Sequence, residues 1–217
     1  MKKIFFILTF LIFPTLAFGA CPEITSAPKI ELYTSYGKLR YDFSQNNQQI
    51  TKLAEKQGII EKGLFASGLS TINVNMDITL KTVGDIIGKY DFCVYPTTIK
   101  LSVYFSDPTI YISKQLIPNS CEYNVVLRHE QTHQQINKAA LDYFLPLFDE
   151  AAKKIALSIK PINVKSLSEI DKASAELTEE YNKKFSPLLE FFKQELLKEQ
   201  LKLDNQANYQ HENILCR

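Results

Sequence analysis

His129-Glu130-Gln131-Thr132-His133 places two imidazoles four residues apart with a carboxylate beside the first. On an α-helix this spacing sends both rings off one face, one turn apart, so a single rigid element supplies two ligands to zinc. Glu130 then stands about 100° around the helix from His129, where it can serve as a general base without taking a coordination position. The chain carries three His among 217 residues, so two at this spacing read as a motif rather than background. The expectation is a zinc metallopeptidase acting on a peptide or protein substrate, with Zn2+ as cofactor. In that chemistry the ion acidifies its water and polarises the scissile carbonyl, and Glu130 takes the proton and passes it to the leaving amine.

A catalytic zinc takes three protein ligands and keeps one position for water. The extended metzincin pattern would put a Gly and a third His at 136 and 139, where Ile136 and Ala139 stand, so that pattern is absent. A glutamate from the following helix, as in thermolysin-like enzymes, would have to be Glu150, Glu169 or Glu176, none of which has a signature around it. The tail Leu203 to Glu212 carries the remaining His, which makes His211 the expected third ligand, with Glu212 as the alternative and Tyr209 after it. Tyr209, Tyr123 and Arg128 are the candidate donors to a tetrahedral oxyanion.

These residues need elements to hold them, and the periodicity changes near residue 118. Before it, Ile72, Val74, Met76, Ile78 and Leu80 alternate with polar residues, as on a half-buried strand. Ile99, Leu101, Val103 and Phe105 repeat the pattern, and an Asp107-Pro108 turn then leads to Ile110–Ile112, so these two runs are expected to form a hairpin. Ile30 and Leu32 suggest an earlier strand, and residues 44–57 a short helix stopped by Gly58. The segment Ile110 to Ser113 is the expected edge strand for an extended peptide.

After Pro118, Asn119 with Glu122 resembles a capping box, and Val126, Ile136, Ala140, Tyr143, Leu147, Ala151 and Ile155 follow at helical spacing. A second helical region spans residues 166–203, with Ser186-Pro187 either kinking or restarting it. The fold class expected is therefore α+β: a small, mostly antiparallel sheet packed on the H-E-x-x-H helix, followed by long C-terminal helices.

Lys2 and Lys3 precede an apolar run from Ile4 to Phe18 that is too short for a comfortable membrane span, and Ala17-Phe18-Gly19 supplies small residues at a cleavage site. Residues 1–19 read as a signal peptide and 20–217 as one metallopeptidase domain, periplasmic or secreted from a bacterium, with no transmembrane segment in the mature chain. Phe18-Gly19-Ala20-Cys21 also resembles a lipobox, which would make Cys21 a lipid anchor.

The formal charge of +1 becomes −1 without the two signal lysines, a balance that suggests neither nucleic acid nor anionic lipid as a partner. Four cysteines in an oxidising compartment predict two disulfide bonds, and Cys93 with Cys121 and Cys21 with Cys216 are the favoured pairs. A second functional class stays open: a non-catalytic, envelope-associated binding protein with a structural or silent metal site.

The order of signal peptide, small sheet with a central Cys, helix Leu127-Arg128-His129-Glu130-Gln131-Thr132-His133, and charged helix with an Asp- and Tyr-containing tail resembles a family of small bacterial secreted proteins. That family is read as zincin-like zinc-dependent proteases. Its members carry a His-Glu-Gln-Gly-His helix and a C-terminal Tyr-Asp segment with a later His. Here Thr132 stands for the Gly, Leu203-Asp204 for Tyr-Asp, and Tyr209 lies near the place of the family His. The resemblance implies a zincin-like metallopeptidase.

Overall fold

The computed structural model describes residues 21–22, 27–60 and 65–216. The expected signal peptide at 1–19 lies outside the described residues. The elements run β1 (Lys29–Ser35), β2 (Arg40–Asp42), α1 (Asn47–Lys56), β3 (Gly68–Gly88), β4 (Asp91–Ile112), α2 (Cys121–Ser158), β5 (Ile162–Val164), a 3-10 turn (Leu167–Glu169), α3 (Ile170–Leu203) and α4 (Gln206–Ile214). The class is α+β.

β4 is the central strand of a mixed sheet. Along one side it pairs antiparallel with β3, and along the other it meets β5 antiparallel and then β1 and β2 in parallel. The parallel neighbours were not expected. Nor was the length of β4, which runs through Asp107-Pro108 where a hairpin turn was expected. Asp107 adopts φ 52°, and Pro108 has no N–H to give to the ladder, so the strand bends there without reversing. β1 pairs as far as Tyr104 and β2 takes over at Thr109, on opposite sides of this bend. Gly37 allows the crossing between them: at φ +68°, a Cβ on it would lie 2.7 Å from the Phe105 carbonyl oxygen and 2.8 Å from Pro108 Cδ.

A second correction follows from this topology. Ile110 pairs with Tyr41 on one side and Ser70 on the other, so the segment expected as an edge is interior. The long outer strand is β3.

α2 begins at Ser120, whose side chain accepts from the Tyr123 amide at 3.2 Å, one residue later than the expected cap at Asn119. Asn119 instead takes φ 62° in the turn before it. α3 continues through Ser186-Pro187 as one helix. Pro187 is exposed, so the carbonyl it leaves unpaired faces water.

α2 and α3 pack together on one sheet face around Leu141, Phe144, Phe148 and Ala152 of α2 and Leu177, Tyr181, Phe185, Phe192 and Leu196 of α3. Ile99, Leu101, Val103 and Phe105 meet them from β4. The buried stripe of α2 is thus offset by about one residue from the expected series. Tyr143 is 73% exposed and Leu147 40% exposed, whereas their neighbours Phe144 and Phe148 are buried.

The disulfides are Cys21–Cys93 and Cys121–Cys216, both with Cα atoms 5.5 Å apart. Of the three possible pairings this is not the expected one, Cys93 with Cys121 and Cys21 with Cys216. Cys93 lies near the hairpin end of β4, whereas Cys121 opens α2, so α2 is tied to the C-terminal segment and not to the sheet. With its sulfur in a disulfide, Cys21 has no thiol left for a lipid anchor. No helix among the described residues is long and apolar enough to cross a membrane.

Candidate metal centre

The site forms where α2 begins and α3 ends. His129, Glu130 and His133 are all buried, at 6%, 6% and 8% exposure. Their helix is fixed on the sheet side by Gln134, which donates to Ser70 Oγ at 2.6 Å and to the Thr71 carbonyl at 3.3 Å. Gly68, at the start of β3, touches the same helix so closely that a Cβ there would sit 2.6 Å from both Glu130 Oε1 and Val126 Cγ1. α1 holds that end of β3 through Ile50 and Ala54 against Leu69. Glu130 is therefore pinned between its own helix and the first residue of the outer strand.

Asp204, the C-cap of α3, brings a third potential ligand atom to the two histidines. Its Oδ1 lies 3.0 Å from His129 Nε2 and 3.0 Å from His133 Nε2, and the two ring nitrogens are 3.1 Å apart. Among the described residues, His129, His133 and Asp204 form a group able to hold a metal ion.

The other ring nitrogens are engaged behind this triangle. His129 Nδ1 donates to both Glu212 carboxylate oxygens at 3.1 Å, and His133 Nδ1 donates to Gln200 Oε1. Gln200 is held in turn by its donation to Asn137 Oδ1 at 2.6 Å and to the His133 carbonyl at 3.2 Å. With the Nδ1 protons committed, a neutral ring presents a bare Nε2 to the Asp204 carboxylate. Three lone-pair-bearing atoms then face one another, an arrangement relieved either by protons on the rings or by a cation between them.

The spacing suits zinc. Ligand distances of about 2.0–2.1 Å in a tetrahedron separate ligand atoms by about 3.3 Å, so the observed edges need open only by about 0.3 Å.

The electrostatics give the same reading from the side of the protons. Burial works against a charge on His129, but the bond to Asp204, the charge of Glu130 and the bond to Glu212 outweigh it and raise the imidazole from 6.5 to about 9. His133 is likewise raised: burial opposes the charge, and Asp204 and Gln200 overcome it. Burial would lift Asp204, yet its bonds to the two histidines and Tyr209 hold its carboxyl well below the usual carboxylate range. Burial pushes Glu130 up to about 7 from 4.5, against the pull of His133 and His129.

Tyr209 covers the centre. Its hydroxyl donates to Asp204 Oδ1 at 2.8 Å, and its ring stacks on His129 with centroids 5.3 Å apart. Burial, followed by the bond to Asp204, pushes its phenol well above the ordinary range, so it stays a donor.

His211 is not brought to the site. It lies exposed on α4, on a different face from Glu212, whose side chain reaches His129. Glu212 meets His129 at Nδ1, outside the His129, His133 and Asp204 group. Glu150, Glu169 and Glu176 are all exposed and away from the cluster. Tyr123 stacks against Phe43 at 6.4 Å, and Arg128 is exposed, which leaves Tyr209 as the candidate oxyanion donor at the centre.

Asp204 was passed over in the sequence, although a signal existed. The buried stripe of α3 steps through Phe192 and Leu196, and two further steps of four reach Gln200 and Asp204. Polar residues at core positions of a helix call for partners. Comparison with protein-family models, with curated proteins and with solved structures gives no match to this chain.

Proposed function

We propose that this chain is an exported zinc-dependent metallopeptidase of zincin-like type, with His129, His133 and Asp204 as ligands and Glu130 as general base. The observation that carries the reading is the convergence of two ring nitrogens and one carboxylate oxygen within 3.1 Å of one another beside a buried glutamate. A bound zinc ion supplies Lewis-acid polarisation and a water acidified toward neutral pH.

The chain's own groups do the rest. Glu130, with its carboxyl near 7, accepts a proton from the attacking water and returns it to the leaving amine, the pKa match that general acid–base catalysis favours. Tyr209 keeps its phenol protonated and, on turning away from Asp204, offers that one proton to the developing oxyanion. The outer edge of β3, beside Gly68 and therefore beside Glu130, takes an extended peptide by strand addition. Two disulfides fit an oxidising compartment, in keeping with export.

The second reading is a non-catalytic exported protein with a structural metal site. The cover of Tyr209 over Asp204 and His129 favours it. Glu130→Gln discriminates. In the peptidase, hydrolysis of a peptide library falls by at least about 100-fold while zinc stays stoichiometric. Hydrolysis at the wild-type level removes Glu130 from its role, and zinc binding without hydrolysis in the wild type supports the structural site.

A further inference from the structure

α4 is an odd element: none of its residues is buried, so no core holds it in place. Its described tethers lead instead to the metal centre or to α2. At its start, Asp204 and Asn205 join it to α3, with Asn205 capping it through the Asn208 amide at 2.9 Å. In its middle, Tyr209 bonds Asp204 and stacks on His129, and Glu212 bonds His129 while accepting from Asn208 at 3.3 Å. Beyond its end, Cys216 is bonded to Cys121, the first residue of α2.

Tyr209 and Glu212 reach His129, and Cys216, a few residues on, is bonded to Cys121 at the start of α2, so this segment meets α2 at two points, one at the site and one at the disulfide.

We propose that α4 is a strap latched by Cys121–Cys216, and that the latch completes the metal centre by holding Glu212 and Tyr209 against His129 and Asp204. Glu212 is then a positioning residue: it fixes the ring of His129 and keeps its Nδ1 protonated, which leaves Nε2 free for the ion. Opening the latch is a thiol–disulfide exchange. A dithiol reductant gives two electrons and two protons, Cys121 and Cys216 become thiols, and the reductant leaves as its own disulfide. The strap is then held by side-chain contacts alone, and its small apolar contact cannot offset the entropy of ordering it. Metal retention would thereby follow the redox state of the compartment. The inference rests on the zinc reading above, and its test separates the two.

The test measures zinc affinity of the full mature chain by competition with a chromogenic chelator. The wild type is compared with Cys121→Ser/Cys216→Ser, with Cys21→Ser/Cys93→Ser and with Glu212→Gln. The expected result is weakening by about 10- to 100-fold in the first and the last, the usual effect of losing the partner of a metal-bound histidine, with little change in the second. Amide exchange gives an independent readout that does not need metal: residues 206–214 exchange faster once the wild type is treated with a dithiol, while the middle of α2 stays protected.

Equal affinities in the wild type and the Cys121/Cys216 variant would overturn the latch, as would equal weakening from loss of either disulfide. Unchanged protection of 206–214 after reduction would overturn it too. A wild type that binds no zinc removes the metal reading itself, an outcome distinct from zinc bound with latch-indifferent affinity.

Discussion

On the proposed reading, zinc and protons compete for His129, and the titration of that ring sets the pH window. In the metal-free protein this imidazole keeps its proton to about pH 9, against 6.5 for an ordinary histidine. A cation that uses Nε2 must displace that proton, so apparent affinity changes tenfold per pH unit for each proton released below the pKa. Between pH 6.5 and 8.5 the apparent Kd for zinc should therefore tighten by about 100-fold on account of His129 alone. His133, also raised, steepens the slope further.

The stability of the metal-free protein carries the same signature. A folded-state pKa above the unfolded value contributes stability that is fully present below pH 6.5 and is lost as pH rises through 9, here about 3 kcal/mol at most. Glu130 loses its own contribution between pH 4.5 and 7, and the window of Asp204 lies below pH 4, so the range from 7 to 9.5 isolates the histidines. Titration calorimetry in two buffers of different ionisation enthalpy counts the protons released per zinc. The expected count at pH 7.5 is at least about one. No proton release at that pH, together with a Kd flat from 6.5 to 8.5, would refute the network of charge-assisted bonds described here.

Four further substitutions test the site and the packing. Asp204→Asn should weaken zinc binding by about 100-fold or more, beyond the effect of losing an outer partner, whereas His211→Ala should leave it unchanged; the opposite ranking in a chelator competition would restore the tail histidine as ligand. Gly68→Ala puts a Cβ 2.6 Å from Glu130 Oε1, so the carboxylate or the strand must move. Peptide turnover should drop about 100-fold with zinc content intact, and undiminished turnover would show that Glu130 does not depend on that contact. Phe192, fully buried against Phe105, Phe144 and Phe148, should cost about 3–5 kcal/mol when cut to Ala, and a loss under about 1 kcal/mol in urea unfolding would mean that α3 is not seated as described.

What the sequence disclosed was local. The two histidines and Glu130 lie within one helical turn and a bit, so their common face follows from helix geometry alone. Asp204 lies 71 residues beyond His133, and its place depends on the α2–α3 turn and on how the helices pack, which no short window records. The preference for His211 came from residue type, and the fold overrode it: on α4, Glu212 points inward and its neighbour His211 points out. The strands were legible as alternations, but their partners were not. Asp107-Pro108 has the composition of a turn and is used as a bend, because neighbours on both sides of β4 hold the strand extended through it. The cysteine pairing was open for the same reason: the spacing of four cysteines says nothing about which ends of two long helices and a long hairpin come together.

The charge of the site argues for a cation more strongly than the motif does. Glu130, Asp204 and Glu212 bring three carboxyl groups around two imidazoles, and Asp204 sits at the C-terminal end of α3, where the helix dipole adds further negative potential. With neutral rings the cluster is electron-rich and buried, a state that desolvation penalises heavily. The metal-free protein relieves this by protonating its histidines above their ordinary pH range and raising Glu130. A divalent ion does so more completely, since one charge of +2 meets Asp204 and both Nε2 lone pairs at once and frees the protons that the histidines otherwise retain. A protein that needed these residues only for packing would do better with apolar side chains at the same positions, because a buried polar cluster earns no net stability over a well-packed apolar one. The stripe of α3 that supplies Phe192 and Leu196 to the core turns polar at Gln200 and Asp204, opposite the point where the core stripe of α2 turns polar at Asn137 and His133. Two helices give up apolar packing at the same level of the fold, where a ligand of opposite charge can repay it.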